Sequence, residues 1–241
     1  MMKKVYWLVP MLSALLASQA YAAVSLDRTR VVYPGGAKSM SLTVRNNNTT
    51  LPYLAQAWLE DEHGKKLSSP FTILPPVQRL EPGMESMFKV QALPTADKLP
   101  QDKESLFYFN MREIPPRSDK PNTLQLALQT RIKFFYRPAS LLVEPGSNKA
   151  HWQEKVSLQR QGNKAQLQNP TPYYISIVEA SMDGKLINSF EPVMLAPHGQ
   201  ATIPHQIGVT AAFVYVDDYG GRQTLNYRCG GVHGCELENV K

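Results

Sequence analysis

Between Leu124 and Pro138 the chain reads LQLALQTRIKFFYRP, and a two-residue period sorts it into two unlike faces. Leu124, Leu126 and Leu128 share one face, continued by Thr130, Ile132, Phe134 and Tyr136. Gln125, Ala127, Gln129, Arg131, Lys133, Phe135 and Arg137 share the other. The alternation predicts one long strand from Leu124 to Pro138. Leucines alternating with polar residues are half-buried at most, so something must cover them. Either a second layer of the same chain does so, as in an ordinary sandwich strand, or another molecule does.

Short alternating runs fill the rest of the chain. Val24 to Leu26 and Val31 to Tyr33 lead into the turn Pro34-Gly35-Gly36. Met40, Leu42 and Val44 alternate with polar residues as far as the asparagine turn Asn46-Asn47-Asn48. Leu51 to Leu59, Phe71 to Leu74, Met87 to Val90 and Leu106 to Arg112 read as further strands, the last forming a hairpin with the long strand across the polar loop Arg117 to Asn122. Beyond the connector Pro138 to Pro145 come Lys155 to Leu158, Ala165 to Leu167, Tyr173 to Ala180, Lys185 to Ser189, Ala201 to Ile203 and Ala212 to Val216. Gln223 to Cys229 reads as the last strand. No window supports an amphipathic helix longer than a turn or two. The class is all-β, in two sandwich-sized units, 23–140 and 141–241.

The first 22 residues change the compartment. Lys3 and Lys4 precede an apolar run from Val5 to Ala17 and a small-residue site at Ala20-Tyr21-Ala22, the pattern of a secretory signal peptide and too short for a membrane anchor. Removing 22 residues from 241 leaves 219, and losing the two lysines lowers the formal charge from +6 to +4. In an exported protein the near pair Cys229 and Cys235 reads as a disulfide rather than a metal site, because structural zinc wants four ligands at recognisable spacing. The positive balance does not point to nucleic acid: acidic Glu60-Asp61-Glu62 lies beside Lys65-Lys66, and no basic run is interleaved with exposed aromatics. Asn47-Asn48-Thr49 fits a glycosylation acceptor, but an asparagine-rich hairpin turn explains it more economically.

Catalytic signals are thin. His63, His151, His198, His205 and His233 lie in separate segments without an HExxH pair, and no GxSxG, Walker A or dinucleotide glycine pattern occurs. The reading is therefore not an enzyme, and no cofactor or metal is implied. What stands out is charge on or beside strands: Arg30, Glu104, Lys133, Arg137 and Asp218. Taken singly, each is ordinary surface charge.

LPQDKESLFYFNMREIP, from Leu99 to Pro115, resembles the signature of the periplasmic pilus-assembly chaperones of the chaperone-usher systems. AVSLDRTR, LPYLAQAWLE, PPVQRLEPG and IKFFYRPA resemble the same family, and the similarity runs from Ala23 to Cys229. The resemblance implies two immunoglobulin-like domains set in an L, or boomerang, around a cleft. It implies that Arg30 and Lys133 bind the C-terminal carboxylate of a pilus subunit, and that Leu124, Leu126 and Leu128 belong to a donor strand filling the groove of a subunit that lacks its last strand. Glu104, Arg137 and Asp218 match the family's interdomain charge cluster.

The expected function is a periplasmic chaperone that binds, folds and caps pilins and adhesins by strand donation and delivers them to an outer-membrane usher. The exposed edge strand also invites self-association. The main alternative is an exported structural pilus subunit or adhesin, which should carry an N-terminal donor extension and a C-terminal strand with an aromatic next to last; this chain ends Glu238-Asn239-Val240-Lys241. The short segment Pro115 to Thr123 resembles the branch serving rod-like or adhesive pili. Cys229 and Cys235 depart from the family in spacing, with five residues between them. Simple pleating also sets Lys133 on the face opposite the leucines, which a bulge between Leu128 and Lys133 would reconcile.

Overall fold

The computed structural model describes residues 22–143, 151–162, 164–231 and 234–238. The expected signal peptide, apart from Ala22, lies outside them. The first unit contains β1 (Val24–Leu26), β2 (Arg30–Pro34), β3 (Ser39–Asn46), β4 (Tyr53–Glu60), β5 (Lys66–Leu67), β6 (Phe71–Leu74), β7 (Val77–Leu80), β8 (Glu85–Ala92), β9 (Ser105–Ile114) and β10 (Gln129–Arg137). One sheet runs β1-β3-β8-β6 and the other β2-β10-β9-β4-β5, with β7 also paired to β4. Their inner faces meet over one core that includes Tyr33, Leu42, Phe71, Phe88, Phe109, Met111 and Phe134. Ile132, Phe134 and Tyr136 of β10 enter this core as the sequence period requires, and towards the end of the strand Phe135 and Arg137 on the other face are buried as well.

The second unit contains β11 (Ser157–Gln161), β12 (Lys164–Gln168), β13 (Ile175–Met182), β14 (Lys185–Leu186), β15 (Val193–Leu195), β16 (Gln200–Ile203), β17 (Thr210–Val216), β18 (Arg222–Gly231) and β19 (Gly234–Leu237). They form a continuous path β14-β13-β17-β18-β19-β11-β12-β16, with β15 beside β13. Both ends of that path contribute to a single core, which joins Leu158, Leu167 and Ile203 to Ile177, Phe213 and Leu225. The all-β, two-unit architecture expected from the sequence is therefore present.

Several boundaries differ. The strand expected from Leu124 begins only at Gln129, and residues 123–128 carry no strand pairing. The cause is in the partner. Strands β9 and β10 pair antiparallel from Gln129↔Arg112 to Tyr136↔Ser105, and continuing that register would set Leu126 against Pro115 and Gln125 against Pro116. Proline has no N–H to offer a ladder, so the pairing stops, its last link being the Glu113 N–H donated to the Leu128 carbonyl at 3.0 Å.

Gln223 to Cys229 is not the last strand. β19 follows and pairs Cys229 with Cys235 directly across the ladder, where the sulfurs are bonded at 2.05 Å. Its four residues GCEL are too few and too mixed to show an alternation. The strand expected over Lys155 to Leu158 is a 3-10 turn, Trp152–Lys155, followed by β11. That expected over Lys185 to Ser189 shrinks to two residues.

Candidate functional site

The site starts from a parallel pairing invisible in the sequence. β10 runs beside β2, in register Lys133↔Arg30 through Arg137↔Pro34, and so brings together two segments about a hundred residues apart. Gly35 secures the end of that pairing: its N–H donates to the Arg137 carbonyl at 2.6 Å, and a Cβ there would lie 2.5 Å from the Ala139 nitrogen. Arg30 and Lys133 thus emerge side by side on the outer face of their sheet.

That face is turned to the second unit. Arg30 Nη1 donates to the Val216 carbonyl of β17 at 2.8 Å, and Lys133 Nζ donates to Ser176 Oγ of β13 at 2.7 Å. Phe135, on the same face, lies 5.7 Å from the Tyr174 ring. The two cations therefore line a cleft between the units. Among the described residues neither forms an ion pair, and Arg30 Nε is buried without a hydrogen-bond partner.

Electrostatics mark the pair as unfinished. Burial, and then the neighbouring Arg30 charge, pull the Lys133 ammonium from 10.5 down to about 8. Burial likewise lowers Arg30, with Asp218 and Asp217 only partly offsetting it. Two half-buried cations hydrogen-bonded only to a carbonyl and a hydroxyl keep the capacity to donate charge-assisted hydrogen bonds to an anion.

Four residues further along β10 the arrangement reverses. Arg137 donates from Nε to Glu104 Oε1 at 2.7 Å, and from Nη1 and Nη2 to Asp218 Oδ2 and Oδ1 at 2.6 and 2.9 Å. Glu104 also accepts the Tyr174 N–H at 2.7 Å, and its own N–H donates to the Pro172 carbonyl at 2.9 Å. The guanidinium lies 5.0 Å from the Tyr173 ring and 5.8 Å from the Trp152 ring. Burial would lower Arg137, but the Asp218 hydrogen bonds and the Glu104 charge outweigh it and raise the group. Glu104 is raised, because desolvation exceeds what Arg137 and the Tyr174 N–H return.

Asp217 shapes the turn that delivers Asp218, its Oδ1 accepting the N–H groups of Tyr219 at 3.0 Å and Gly221 at 2.7 Å. Within it Gly220 has φ +89°, and a Cβ would lie 2.5 Å from Thr29 Oγ1, so only glycine lets this turn approach the first unit.

The structure brings Arg30 and Lys133 together, and Glu104, Arg137 and Asp218 together. The leucines stand apart from both groups. Leu124, Leu126 and Leu128 are 82, 65 and 46 % exposed, at the free end of the segment that leads into β10. No bulge interrupts β10, since its register with β9 is unbroken from Gln129 to Tyr136. Lys133 turns to the second unit, whereas the leucines precede β10 and are exposed. Sequence reading missed Ser176, Tyr174, the Val216 carbonyl and Asp217. Only Asp217 left a signal, in the turn sequence Asp217-Asp218-Tyr219-Gly220-Gly221.

Residues 23–142 match the family model described as pili and flagellar-assembly chaperone, PapD N-terminal domain, and residues 151–227 match pili assembly chaperone PapD, C-terminal domain. The chain is similar to the probable fimbrial chaperone YfcS of Escherichia coli (strain K12), at 48% identity over 221 residues, covering 91% of this chain and 87% of that one. It is 47% identical over 227 residues to chaperone protein PapD of Escherichia coli, covering 93% of each. The solved structure of the periplasmic chaperone SfaE superimposes with a TM-score of 0.70 at 33% identity, over 84% of this chain and 98% of the other.

Proposed function

The chain belongs to the PapD family of pilus-assembly chaperones, and from that premise we propose that Arg30 and Lys133 receive the C-terminal carboxylate of a pilus subunit while Leu124, Leu126 and Leu128 lend that subunit a missing strand. The observation that carries the reading is the cation pair itself: two donors held side by side in the cleft, hydrogen-bonded to a carbonyl and a hydroxyl and ion-paired with no carboxylate among the described residues. A carboxylate there removes the repulsion between Arg30 and Lys133 and gains two charge-assisted hydrogen bonds. Fixing the chain end also fixes the register in which the subunit runs along the leucine segment, because a slip of one residue would turn every side chain to the wrong face.

The leucine segment suits donation because it is exposed and lies outside the strand ladder. The subunit supplies the ladder partner that Pro115 and Pro116 withhold. The same edge lets the free protein self-associate, a second copy standing in for the subunit. The work is done in the periplasm, and the capped pilin or adhesin passes to an outer-membrane usher without nucleotide or other cofactor. Both family models that match are chaperone domains, so the alternative of a structural pilus subunit has no support.

The test is to purify the protein from periplasm and identify the chain bound to it, then to repeat with Lys133→Ala and Arg30→Ala. Each variant should keep wild-type circular dichroism and lose the bound subunit, an effect on affinity of ~2 kcal/mol or more. Complexes retained by both variants would overturn the carboxylate reading.

A further inference from the structure

The second unit faces the cation pair with a side chain of its own. Ser176 sits on β13 with 2 % of its surface exposed, and its Oγ accepts the Lys133 ammonium at 2.7 Å. A serine buried there needs a polar partner, and the partner it has is the binding-site lysine. Arg30 is held in the corresponding way by the Val216 carbonyl of β17. A backbone carbonyl stays through any substitution, whereas the serine hydroxyl does not. Ser176 is thus the side chain of the second unit that hydrogen-bonds to the pair among the described residues.

We propose that Ser176 is a positioning residue for carboxylate capture: by accepting a hydrogen bond from Lys133 Nζ across the cleft it holds the ammonium charged and aimed beside Arg30, so the binding site is complete only when both units contribute. This rests on the carboxylate reading above and names a further residue for it.

The chemistry has a direction. Lys133 is disfavoured as a cation by its burial and by Arg30, and the hydrogen bond it donates to Ser176 Oγ at 2.7 Å is a contact that favours the charged form. The other groups around the cleft are Tyr108 and Glu60, in register with Lys133 across β9 and β4; Arg137 and Glu104 further along; Tyr174 beside Phe135; and Asp217 and Asp218 on the turn after β17. None of these hydrogen-bonds to the ammonium, so Ser176 is its one such partner among the described residues. Removing the hydroxyl should make the ammonium lose its proton at lower pH.

The experiment uses the full mature chain and a synthetic peptide of alternating hydrophobic residues with an aromatic next to last, made once with a free C-terminal carboxylate and once as the amide. Dissociation constants are measured from pH 6 to 9.5 for the wild type, Ser176→Ala and Ser176→Thr. The wild type should prefer the acid and lose that preference as pH passes about 8. Ser176→Ala should weaken acid binding ~10-fold near pH 8, with the alkaline limb moved to lower pH, and weaken amide binding by much less, so that the preference for the acid falls. Ser176→Thr, which keeps a hydroxyl, should restore both affinity and limb. A Ser176→Ala profile parallel to that of the wild type at every pH would overturn the positioning role. No preference for acid over amide in the wild type would instead overturn the carboxylate reading beneath it. Should Ser176→Ala fail to fold, the Lys133 side chain is titrated by NMR in the wild type and in Ser176→Cys, whose thiol is a weaker acceptor. A lower midpoint in Ser176→Cys supports the positioning role, and equal midpoints overturn it.

Discussion

Lys133 and Arg137 leave the same face of β10, four residues and about 13 Å apart along the strand, and both reach across to the second unit. Arg137 meets two carboxylates that use all three of its nitrogens. Lys133 meets another cation and a hydroxyl. A buried charge whose partners are built into the chain has nothing left to offer a ligand. One whose partner is absent is destabilised until a ligand supplies it. Arg137 is satisfied within the chain and Lys133 is not, so the two should respond to substitution with opposite signs.

The largest effect is expected at Arg137. Arg137→Ala leaves Glu104 buried and faced by Asp218, and should cost ~3–5 kcal/mol in urea denaturation and loosen the relation between the units in small-angle scattering. Pairing Arg137→Met with Glu104→Gln should recover much of that loss, because the penalty comes from the orphaned charge rather than from the missing bond. A single-variant loss below ~1 kcal/mol would mean that water reaches the cluster and that it braces nothing.

Lys133→Met should do the reverse. It removes subunit binding and makes the free protein about 1 kcal/mol more stable at neutral pH, a figure kept small because water still reaches part of the side chain. The pH dependence carries the same sign. The ammonium titrates at about 8 in the folded chain and at 10.5 when unperturbed. Below pH 8 both states hold the proton and the folded state bears the full cost of burying it. Between about 8 and 10.5 the unfolded chain binds more protons, so the Lys133 contribution to stability rises with pH. The difference in stability between wild type and Lys133→Met should therefore shrink over that window, and a difference that stays constant would remove the burial cost from the argument.

How far all this could be read from the chain depends on whether a feature is local. The period-two pattern of Ile132, Phe134 and Tyr136 survives in the structure because burial on one face is what creates such a pattern. The leucines share the period without the strand, because what ends the ladder is proline in the neighbouring segment and not anything in their own. β19 was illegible at four mixed residues. The charges of both clusters were visible as residue types, but their meeting depends on the parallel β2–β10 pairing and on contacts between the units, which no local pattern records. Family resemblance supplied that grouping. Ser176 was invisible for the same reason, being one serine among strand residues until the cleft sets it against Lys133.

The smallest effect on stability, and the sharpest separation of capture from donation, belongs to Leu126. Its side chain is 65 % exposed and its backbone is outside the ladder, so Leu126→Glu removes little buried surface and should change folding free energy by no more than ~0.5 kcal/mol. Arg30 and Lys133 are untouched, so a short peptide that reaches only the cation pair should bind the variant as it binds the wild type. A whole subunit should not, because main-chain pairing continues along the segment while the side chain meant for the middle of the groove carries a charge into an apolar pocket. Self-association of the free protein, followed by sedimentation, should fall in parallel, since the same row would meet its copy. The three readouts are independent of one another. A variant that unfolds would place Leu126 in the protein's own core. One that folds and still holds whole subunits would leave the cation pair as the binding determinant and the leucine row without a role in capping.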